Sequence, residues 1–206
     1  FVAPPAVQAF STADLIKVSA TADSSSLKEI LLFDGTDHNQ NVVVYAPDWD
    51  TDPYQFVKEH GRYVLSLKHK PSGKGQRGGM QVNVSHLLKA YGTKLPTFKD
   101  IAIRLKGLKP SAAKLILVDE DANAASASIV VGTSRNELQL SLKTLKPDHF
   151  MLLPRPYPGF QARYFDNKSR SGFDIRKLDK VQILLEGDDL ENEVQIESIK
   201  LINKVL

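Results

Sequence analysis

Residues 173–206, FDIRKLDKVQILLEGDDLENEVQIESIKLINKVL, decide the fold class of this chain. Apolar and polar residues alternate over residues 181–186 and again over residues 194–201, which is the pattern of half-buried β-strands. The segment GDDLENE separates the two runs and has the polar, turn-forming composition of a hairpin loop. The chain is therefore predicted to end in a β-hairpin of an antiparallel sheet.

Similar alternating runs recur through most of the chain. Gly, Pro, Asn, Asp and Ser lie between the runs, and these residues end strands and favour turns. Ser85 is expected to cap a short helical turn through residues 88–91, and residues 11–14 are expected to open a second one. About a dozen short strands with few helices predict an all-β fold, an antiparallel β-sandwich of the jelly-roll type. Besides the two strands of the final hairpin, the predicted strands are residues 28–33, 41–45, 62–69, 79–84, 100–105, 114–119, 125–131, 137–142, 149–153 and 160–165.

Length and composition predict one main domain. With 206 residues, of which 42% are hydrophobic, the chain can bury a full core, and single sandwiches of this size are common. Residues 1–26 contain adjacent prolines and a Ser-rich stretch, so we expect an N-terminal tether or a loosely packed segment. Residues 27–206 are predicted to form a single β-sandwich module.

The charge pattern and the lack of cysteine exclude several classes of protein. The 27 basic and 24 acidic residues give a net charge of +3 and alternate in sign, so neither a nucleic acid nor a membrane is predicted as a partner. The chain has no cysteine, which excludes a disulfide framework and a thiolate metal site. No apolar run approaches the roughly 18 residues that a membrane-spanning helix needs. Because the first residue is Phe1, we expect a processed chain or an excised piece.

Motifs for catalysis are weak. The histidines form neither H-E-x-x-H nor an i, i+4 pair, and there is no G-x-S-x-G motif of a serine hydrolase. The run GKGQRGGM at residues 73–80 lacks the Gly-Lys-Ser/Thr ending of a phosphate-binding loop. A pair of acids for glycoside hydrolysis would have to come from residues 119–121 or 186–189, and both groups are interpreted as solvated turns.

Calcium is the metal that these acidic groups favour. Ca²⁺ takes six to eight oxygen ligands, but the spacing of an EF-hand is absent from the sequence. Asp34, Asp37 and Glu197 are the candidate metal ligands if the fold brings them together. One structural calcium is thus a hypothesis, and no other cofactor is predicted.

Two aromatic stretches are candidates for binding sugars. Sugar rings present apolar C–H faces to aromatic side chains, while their hydroxyl groups need planar polar partners such as Arg, Asp, Asn and Gln. Residues 45–56 contain Trp49, the only tryptophan, together with Tyr54. Residues 154–165 contain Arg155, Tyr157, Arg163 and Tyr164 among three prolines that restrict the backbone. The alternative is that both stretches merely close the ends of the core.

Five segments of the chain carry a resemblance to a known group. The order KDIAIRLKGL, KLILVDED, ELQLSLKTLKP, FDIRKLDKVQILLEGDD and EVQIESIKLI over residues 99–202 is similar to that of galactose-binding-like jelly rolls. It resembles in particular carbohydrate-binding module family 11 and the sandwich module of glycoside hydrolase family 50 agarases. Two positions differ: the usual tryptophan near Asn136 is missing, and Glu197 stands where the closing motif has aspartate.

This resemblance implies a non-catalytic module that binds a polysaccharide through one concave sheet. It implies a secreted, periplasmic or cell-surface location, and as partners a polysaccharide, for instance of agar type, and the catalytic domain of a parent enzyme. The residues expected to bind carbohydrate are Trp49, Tyr54, Arg155, Tyr157, Arg163 and Tyr164, with Asp119 and Asp121 as weaker members. One alternative is an accessory domain that docks on a hydrolase barrel without affinity for glycans. A polysaccharide lyase or hydrolase, which would need converging acids, is the other.

Overall fold

Most described residues form β-strands. The structure, a computed structural model, describes residues 27–36, 42–45, 54–69, 78–152, 163–167, 172–186 and 192–203. The predicted tether of residues 1–26 and the helical turn predicted at residues 11–14 lie outside this part of the chain. The strands are β1 (Glu29–Asp34), β2 (Val42–Tyr45), β3 (Tyr54–Glu59), β4 (Arg62–His69), β5 (Gly79–Asn83), β6 (Asp100–Gly107), β7 (Ser111–Asp119), β8 (Ala124–Val131), β9 (Asn136–Ser141), β10 (Lys146–Asp148), β11 (Phe150–Met151), β12 (Tyr164–Phe165), β13 (Leu178–Glu186) and β14 (Asn192–Ile202).

Two antiparallel sheets and one short ribbon account for these strands. Sheet A has the order β3-β4-β14-β6-β9, and β1 also pairs with β14. Sheet B has the order β10-β8-β7-β13-β5-β2. Strands β11 and β12 pair only with each other among the described strands and form the ribbon. Every pairing is antiparallel, so the predicted class, an all-β antiparallel sandwich, is confirmed.

Alternating side chains from both sheets fill one main core. In β6 the odd-numbered residues Ile101, Ile103 and Leu105 are buried in this core, whereas the even-numbered Arg104 and Lys106 face outward. The same period of two in the other strands follows from the pleat of a β-strand. The core residues of sheet A include Leu65, Ile103 and Ile196, and those of sheet B include Leu115, Leu117 and Ile183.

The final two strands correct the prediction of a hairpin. They are strands as predicted, but β13 lies in sheet B between β7 and β5, whereas β14 lies in sheet A between β4 and β6. The chain therefore crosses from one sheet to the other between them. Alternation of apolar and polar residues shows which side chains of a strand are buried. It does not show whether the next strand pairs with that strand in one sheet or packs against it across the core.

A short helix covers one end of the core. Helix α1 (Ser85–Leu88) continues as the 3₁₀-helix Lys89–Thr97, so the predicted helical turn is confirmed. Ser85 is not its cap: Val84 occupies the N-cap position, and no side chain caps the helix. Leu88 and Leu95 anchor the segment because both are buried in the main core. No helix among the described residues is long and apolar enough to cross a membrane.

Candidate functional site

The outward face of sheet B carries an apolar strip that the ribbon covers. Ile116 and Val118 of β7 and Leu184 of β13 point away from the main core, yet all three are buried. They pack against Phe150 and Met151 of β11 in a second, smaller hydrophobic cluster. Burial of this strip holds the ribbon against the sheet, since apolar area removed from water stabilises such contacts.

Gln182 fixes the ribbon by paired amide hydrogen bonds. The backbone N–H of Met151 donates to Oε1 of Gln182 at 3.0 Å, and Nε2 of Gln182 donates to the carbonyl oxygen of Met151 at 2.6 Å. The same Nε2 donates to Oε1 of Gln81 at 2.8 Å, and Nε2 of Gln81 donates to Oδ1 of Asn83 at 2.8 Å. Gln182 is 0% exposed. A row of amides thus runs from beneath the ribbon to the partly exposed Asn83.

Asp148, two residues before the ribbon, joins three strands of sheet B. Its Oδ2 accepts hydrogen bonds from Nζ of Lys114 at 3.1 Å and from the hydroxyl of Ser126 at 2.5 Å. Its Oδ1 accepts from the backbone N–H of His149 at 2.8 Å and lies 2.9 Å from Nδ1 of that residue. Burial alone would raise the pKa of Asp148, but the donors at Ser126, His149 and Lys114 hold that pKa below its ordinary value. The carboxylate therefore stays charged and fixed.

Aromatic side chains lie on the ribbon and next to it, and some of them are exposed. Phe165 is 40% exposed and lies against the buried Phe150, with 5.5 Å between the ring centroids. The partly exposed ring of His149 meets Tyr164 edge-on at 4.7 Å. Tyr164 itself is only partly exposed, because it packs against the smaller hydrophobic cluster beneath the ribbon and its hydroxyl oxygen is buried. Leu152 adds an exposed apolar side chain, and its N–H donates to the carbonyl oxygen of Arg163. We call Phe165, His149, Tyr164, Leu152 and Arg163 the aromatic rim.

The residues predicted from the sequence to bind carbohydrate separate into three groups. Arg163 and Tyr164 lie in the aromatic rim. Tyr54 opens β3, an edge strand of sheet A, and so belongs to the opposite sheet. Trp49, Arg155 and Tyr157 lie outside the described residues, although the ribbon flanks the segment 153–162 that holds the last two.

Asp119 and Asp121 lie in the turn between β7 and β8, close to the end of the ribbon. Nδ2 of Asn167, just beyond β12, donates to the carbonyl oxygen of Asp121 at 2.7 Å. Asp121 is exposed and pairs with Nζ of Lys177 at 2.6 Å. Asp119 is only 1% exposed, and its carboxylate accepts hydrogen bonds from the backbone N–H groups of Asp121, Asn123 and Asp174. The structure therefore gives Asp119 the role of holding this turn, away from any ligand on the surface.

Sequence reasoning missed four residues of this face: Phe165, His149, Gln81 and Gln182. Phe165 was treated only as the end of an aromatic stretch, and its exposure depends on the pairing with Phe150. Gln182 did carry a signal, because it is a polar residue inside the apolar run VQILL. A polar side chain at a buried strand position needs a hydrogen-bond partner, and such a partner marks a point where another segment docks.

The outward face of sheet A differs because ion pairs cross it. Glu197 lies within 3.4 Å of Arg62, 3.4 Å of Arg104 and 3.3 Å of Arg135. Arg135 also pairs with Glu59, and the hydrogen bond from Lys106 to Glu59, at 2.5 Å, is the main reason that the pKa of Glu59 is lowered.

Two of the predicted calcium ligands, Asp34 and Glu197, line the same pocket on this face. Asp37, the third, lies outside the described residues. Among the described residues no group of three or more His, Cys, Asp or Glu side chains is arranged to hold a metal. The guanidinium groups around Glu197 oppose the approach of a divalent cation. A calcium site here stays a prediction from the sequence, and the local charges do not favour it.

Comparison with solved structures shows that the fold of this sandwich is similar to that of carbohydrate-binding modules. The family 11 module of Clostridium thermocellum, solved with a β-1,3-1,4-mixed-linked tetrasaccharide, matches with a TM-score of 0.64 at 12% identity, over 88% of this chain and 99% of that one. The family 30 module of Clostridium thermocellum matches with a TM-score of 0.57 at 12% identity, over 87% of this chain and all of that one. The chain has the jelly-roll fold of carbohydrate-binding modules.

The jelly roll also occurs as part of larger proteins. An exo-β-agarase structure matches with a TM-score of 0.55 at 10% identity, over 87% of this chain but only 25% of that one. No protein-family model and no curated protein sequence matches the chain. The similarity therefore lies in the fold, as the sequence pattern of residues 99–202 predicted.

Proposed function

We propose that this chain is a non-catalytic carbohydrate-binding module whose ligand face is the outward face of sheet B beside the ribbon. The observation that carries the proposal is the position of the aromatic rim directly beside fixed polar groups. Phe165 offers a ring for the C–H face of a sugar, and Asn83, Asp148 and Lys114 offer planar or charged partners for hydroxyl groups. Arg163, Tyr164 and Asp121 are proposed to contact the same chain of sugars.

The ribbon is what suits this face for binding. Gln182 and the buried apolar strip fix β11 on the sheet, so the rim is held in place before a ligand arrives. A preformed surface loses less conformational entropy on binding than one that must order itself. Arg155 and Tyr157 lie outside the described residues, and we include them in the proposal because their segment, 153–162, connects β11 to β12 in the sequence. Trp49 is included in the proposal on its sequence alone.

The carboxyl groups with shifted pKa values, on both sheets, agree with binding rather than catalysis. A glycoside hydrolase needs an acid whose pKa is raised, so that it carries a proton at neutral pH. The carboxyl groups of Glu59, Asp148 and Asp174, which have clearly shifted pKa values in the described part of the chain, all have them lowered by hydrogen bonds and nearby cations. These three groups remain charged and are poor general acids.

The fold further suggests the setting in which the module works. Modules of this fold are found in cellulases and, as part of longer chains, in an agarase. We propose that this chain serves a polysaccharide-degrading enzyme outside the cytoplasm, in the periplasm or at the cell surface, with a plant or marine glucan or galactan as ligand. The catalytic domain of that enzyme is the proposed second partner.

The proposal is tested by calorimetry and affinity electrophoresis of the folded chain. The panel contains mixed-linked β-glucan, laminarin, agarose, carrageenan and alginate. We expect binding to at least one neutral glycan, weakened by Phe165→Ala. Tyr63→Ala, which removes a comparably exposed ring from sheet A, is the matched control and is expected to leave affinity unchanged. Absence of binding to the whole panel by a folded sample would reject the proposal.

Docking on a catalytic domain is the second candidate function, and the exposed apolar side chains of the rim favour it. Leu152 and Phe165 are both exposed on the ribbon. If the rim is a docking surface, the isolated chain binds no glycan but binds the parent catalytic domain, and Leu152→Asn weakens that complex. If the rim is a glycan surface, Leu152→Asn changes glycan affinity instead.

A further inference from the structure

We infer that a pocket on the outward face of sheet A is a second saccharide site, which takes a single neutral sugar ring. The pocket has a volume of about 300 Å³ and lies where the end of β1 meets β4, β6 and β14. It is separate from the ribbon, which covers the other sheet. The inference is therefore independent of the ligand face proposed above.

An irregularity in β14 builds the floor of the pocket. The pairing of β14 with β6 shifts between Ile196 and Ser198, so Glu197 is an extra residue opposite no partner. This β-bulge puts Glu197 and Ser198 side by side in the pocket lining, while Ile196 and Ile199 remain in the core. Bulges commonly redirect side chains at functional sites.

Gly35 lets the end of β1 close over this bulge. Its N–H donates to the carbonyl oxygen of Glu197 at 2.8 Å. A Cβ atom at this position would lie 3.0 Å from both the carbonyl oxygen of Ile196 and the Cα of Val64, which are backbone atoms with little freedom to move. Glycine is therefore favoured here, since a side chain would force these backbone atoms to shift by a few tenths of an ångström. The wall of the pocket formed by Asp34 and Thr36 is held by backbone contacts.

The charges of the pocket balance, and this selects the kind of ligand. Three cationic side chains line it, Arg62, Arg104 and Lys200, and three carboxylates line it, Asp34, Glu137 and Glu197. An anion would meet the carboxylates, and a cation would meet the guanidinium and ammonium groups, so neither gains by entering. A neutral sugar suits this arrangement because each hydroxyl group both donates and accepts a hydrogen bond.

Donors and acceptors in the pocket remain accessible to a ligand. Arg62 and Arg104 touch Glu197 only at 3.4 Å, and their side chains are 68% and 44% exposed. A guanidinium group has five N–H donors, so most of these donors are not used by Glu197. Glu137 stands opposite Arg104 in the pairing of β6 with β9, which places an acceptor beside a donor.

The size and one apolar wall of the pocket limit the ligand to one ring. A volume of about 300 Å³ is at the lower end for small-molecule sites, too small for a chain of sugars. Leu31, which lines the pocket and is partly exposed, offers an apolar contact for the C–H groups of the ring. A module with one site on each sheet would be able to hold two glycan ends at once, with a gain in avidity.

The experiment is a titration of the ¹⁵N-labelled chain followed by NMR. Methyl β-glucopyranoside and methyl β-galactopyranoside are the neutral probes, and glucuronate is the charged probe of similar shape. The signals observed are the Nε–H groups of Arg62 and Arg104 and the backbone N–H groups of Gly35 and Ser198. We expect saturable shifts with at least one neutral probe at millimolar Kd, and binding of glucuronate at least about 3-fold weaker.

Substitutions distinguish sugar binding in this pocket from sugar binding at the ribbon. Arg62→Gln, at the most exposed of the arginines, is expected to raise the Kd by about 5-fold or more, and Phe165→Ala is expected to leave the Kd unchanged. Leu31→Ala provides a second pocket variant that leaves every ion pair of Glu197 intact. The inference is overturned if neutral probes cause no saturable shifts in the wild-type pocket, if glucuronate binds more tightly, or if Phe165→Ala abolishes the shifts.

Discussion

The outward faces of the two sheets differ in the side chains that they carry and in whether a further strand covers them. Sheet A places charged side chains there and joins them by ion pairs around Glu197 and Glu59, with no strand above them in the described part of the chain. Sheet B places apolar side chains at the middle of its outward face and covers them with the ribbon. The cover then carries the aromatic rim. The comparison suggests that the apolar side chains on the outward face of sheet B hold the ribbon in place, and that the ribbon then provides a fixed surface for binding.

Replacing Gln182 tests whether the ribbon depends on the amide contacts. Gln182→Ala is expected to lower the free energy of unfolding by about 2–4 kcal/mol, because the buried N–H and C=O groups of Met151 lose their partner. Urea unfolding measures this change. The control is Gln139→Ala in sheet A, which removes an exposed side chain that donates to Asp100 and is expected to cost about 0.5–1 kcal/mol. Equal losses in the two variants would contradict a special role for the ribbon.

Replacing Glu197 tests the electrostatic character of sheet A. Glu197→Gln leaves three guanidinium groups without their shared carboxylate and is expected to cost about 1–2 kcal/mol, reduced because Arg62 and Arg104 are well exposed to solvent. Raising the salt concentration from about 0.05 M to about 1 M should shrink this cost, since salt screens exposed charges. The cost of Gln182→Ala should not change with salt. A salt-independent cost of Glu197→Gln would refute the electrostatic explanation.

Acidification tests the Asp148 cluster of sheet B. The folded state lowers the pKa of Asp148, so its stabilisation is complete above the unfolded pKa of about 3.9 and is lost as the pH falls below that value through the folded pKa. Asp148→Asn is therefore expected to be less stable than the wild type by about 1–2 kcal/mol at neutral pH, with the gap closing below about pH 4. Thermal unfolding across this pH range measures the gap. The exposed Asp166 gives the control for the substitution itself, and Asp166→Asn is expected to change the free energy of unfolding by less than about 0.5 kcal/mol at neutral pH.

Substitution of two phenylalanines of the ribbon distinguishes effects on glycan binding from effects on the stability of the fold. Phe165→Ala is expected to weaken glycan affinity by about 2–12-fold, equal to the roughly 0.5–1.5 kcal/mol of one aromatic contact, with little change in the free energy of unfolding. Phe150→Ala, only 7% exposed before the change, is expected to destabilise the fold by about 3 kcal/mol. Calorimetry and urea unfolding are done on both variants. If Phe165→Ala destabilises as much as Phe150→Ala, the rim is part of the core and not a binding surface.

The sequence predicts the strands well where alternation is strict. Strands β6 and β14, along which apolar and polar residues alternate, lie close to their predicted positions. Strands β7 and β13 also lie close to theirs, as short apolar runs that are buried on both faces of sheet B. Strand β3 was missed because its first residues, 54–56, belong to the aromatic stretch 45–56, which was interpreted as a candidate for binding sugars. Strand β10 was taken for a turn because it contains Pro147. An edge strand accepts proline, since the N–H that proline lacks is not needed for a second neighbour.

The candidate site was predicted only in part, because it depends on contacts between distant segments. Arg163 and Tyr164, which were chosen for their charged and aromatic side chains, lie on or beside the ribbon, and their role in binding stays a prediction. The role of Asp119 was not, because its hydrogen bonds come from Asn123 and, far along the chain, from Asp174. Likewise, nothing in the local pattern shows that Gln182 meets Met151 or that Glu197 meets three arginines. The local sequence pattern predicts which face of a strand a side chain lies on. The residue that it contacts on that face depends on how distant strands are arranged, which the local pattern does not show.

The position of β14 also governs the order in which the molecule can fold. This strand is the last in the described part of the chain, yet it pairs with β1, β4 and β6 and so links the rest of sheet A. During synthesis, sheet A cannot form all of its strand pairs until residue 202 has left the ribosome. The hairpin of β7 and β8 pairs strands that are neighbours in the sequence, so it forms early. Nascent chains that stop before β14 would expose the apolar inner faces of both sheets, which makes them targets for chaperones and proteases rather than partly working modules.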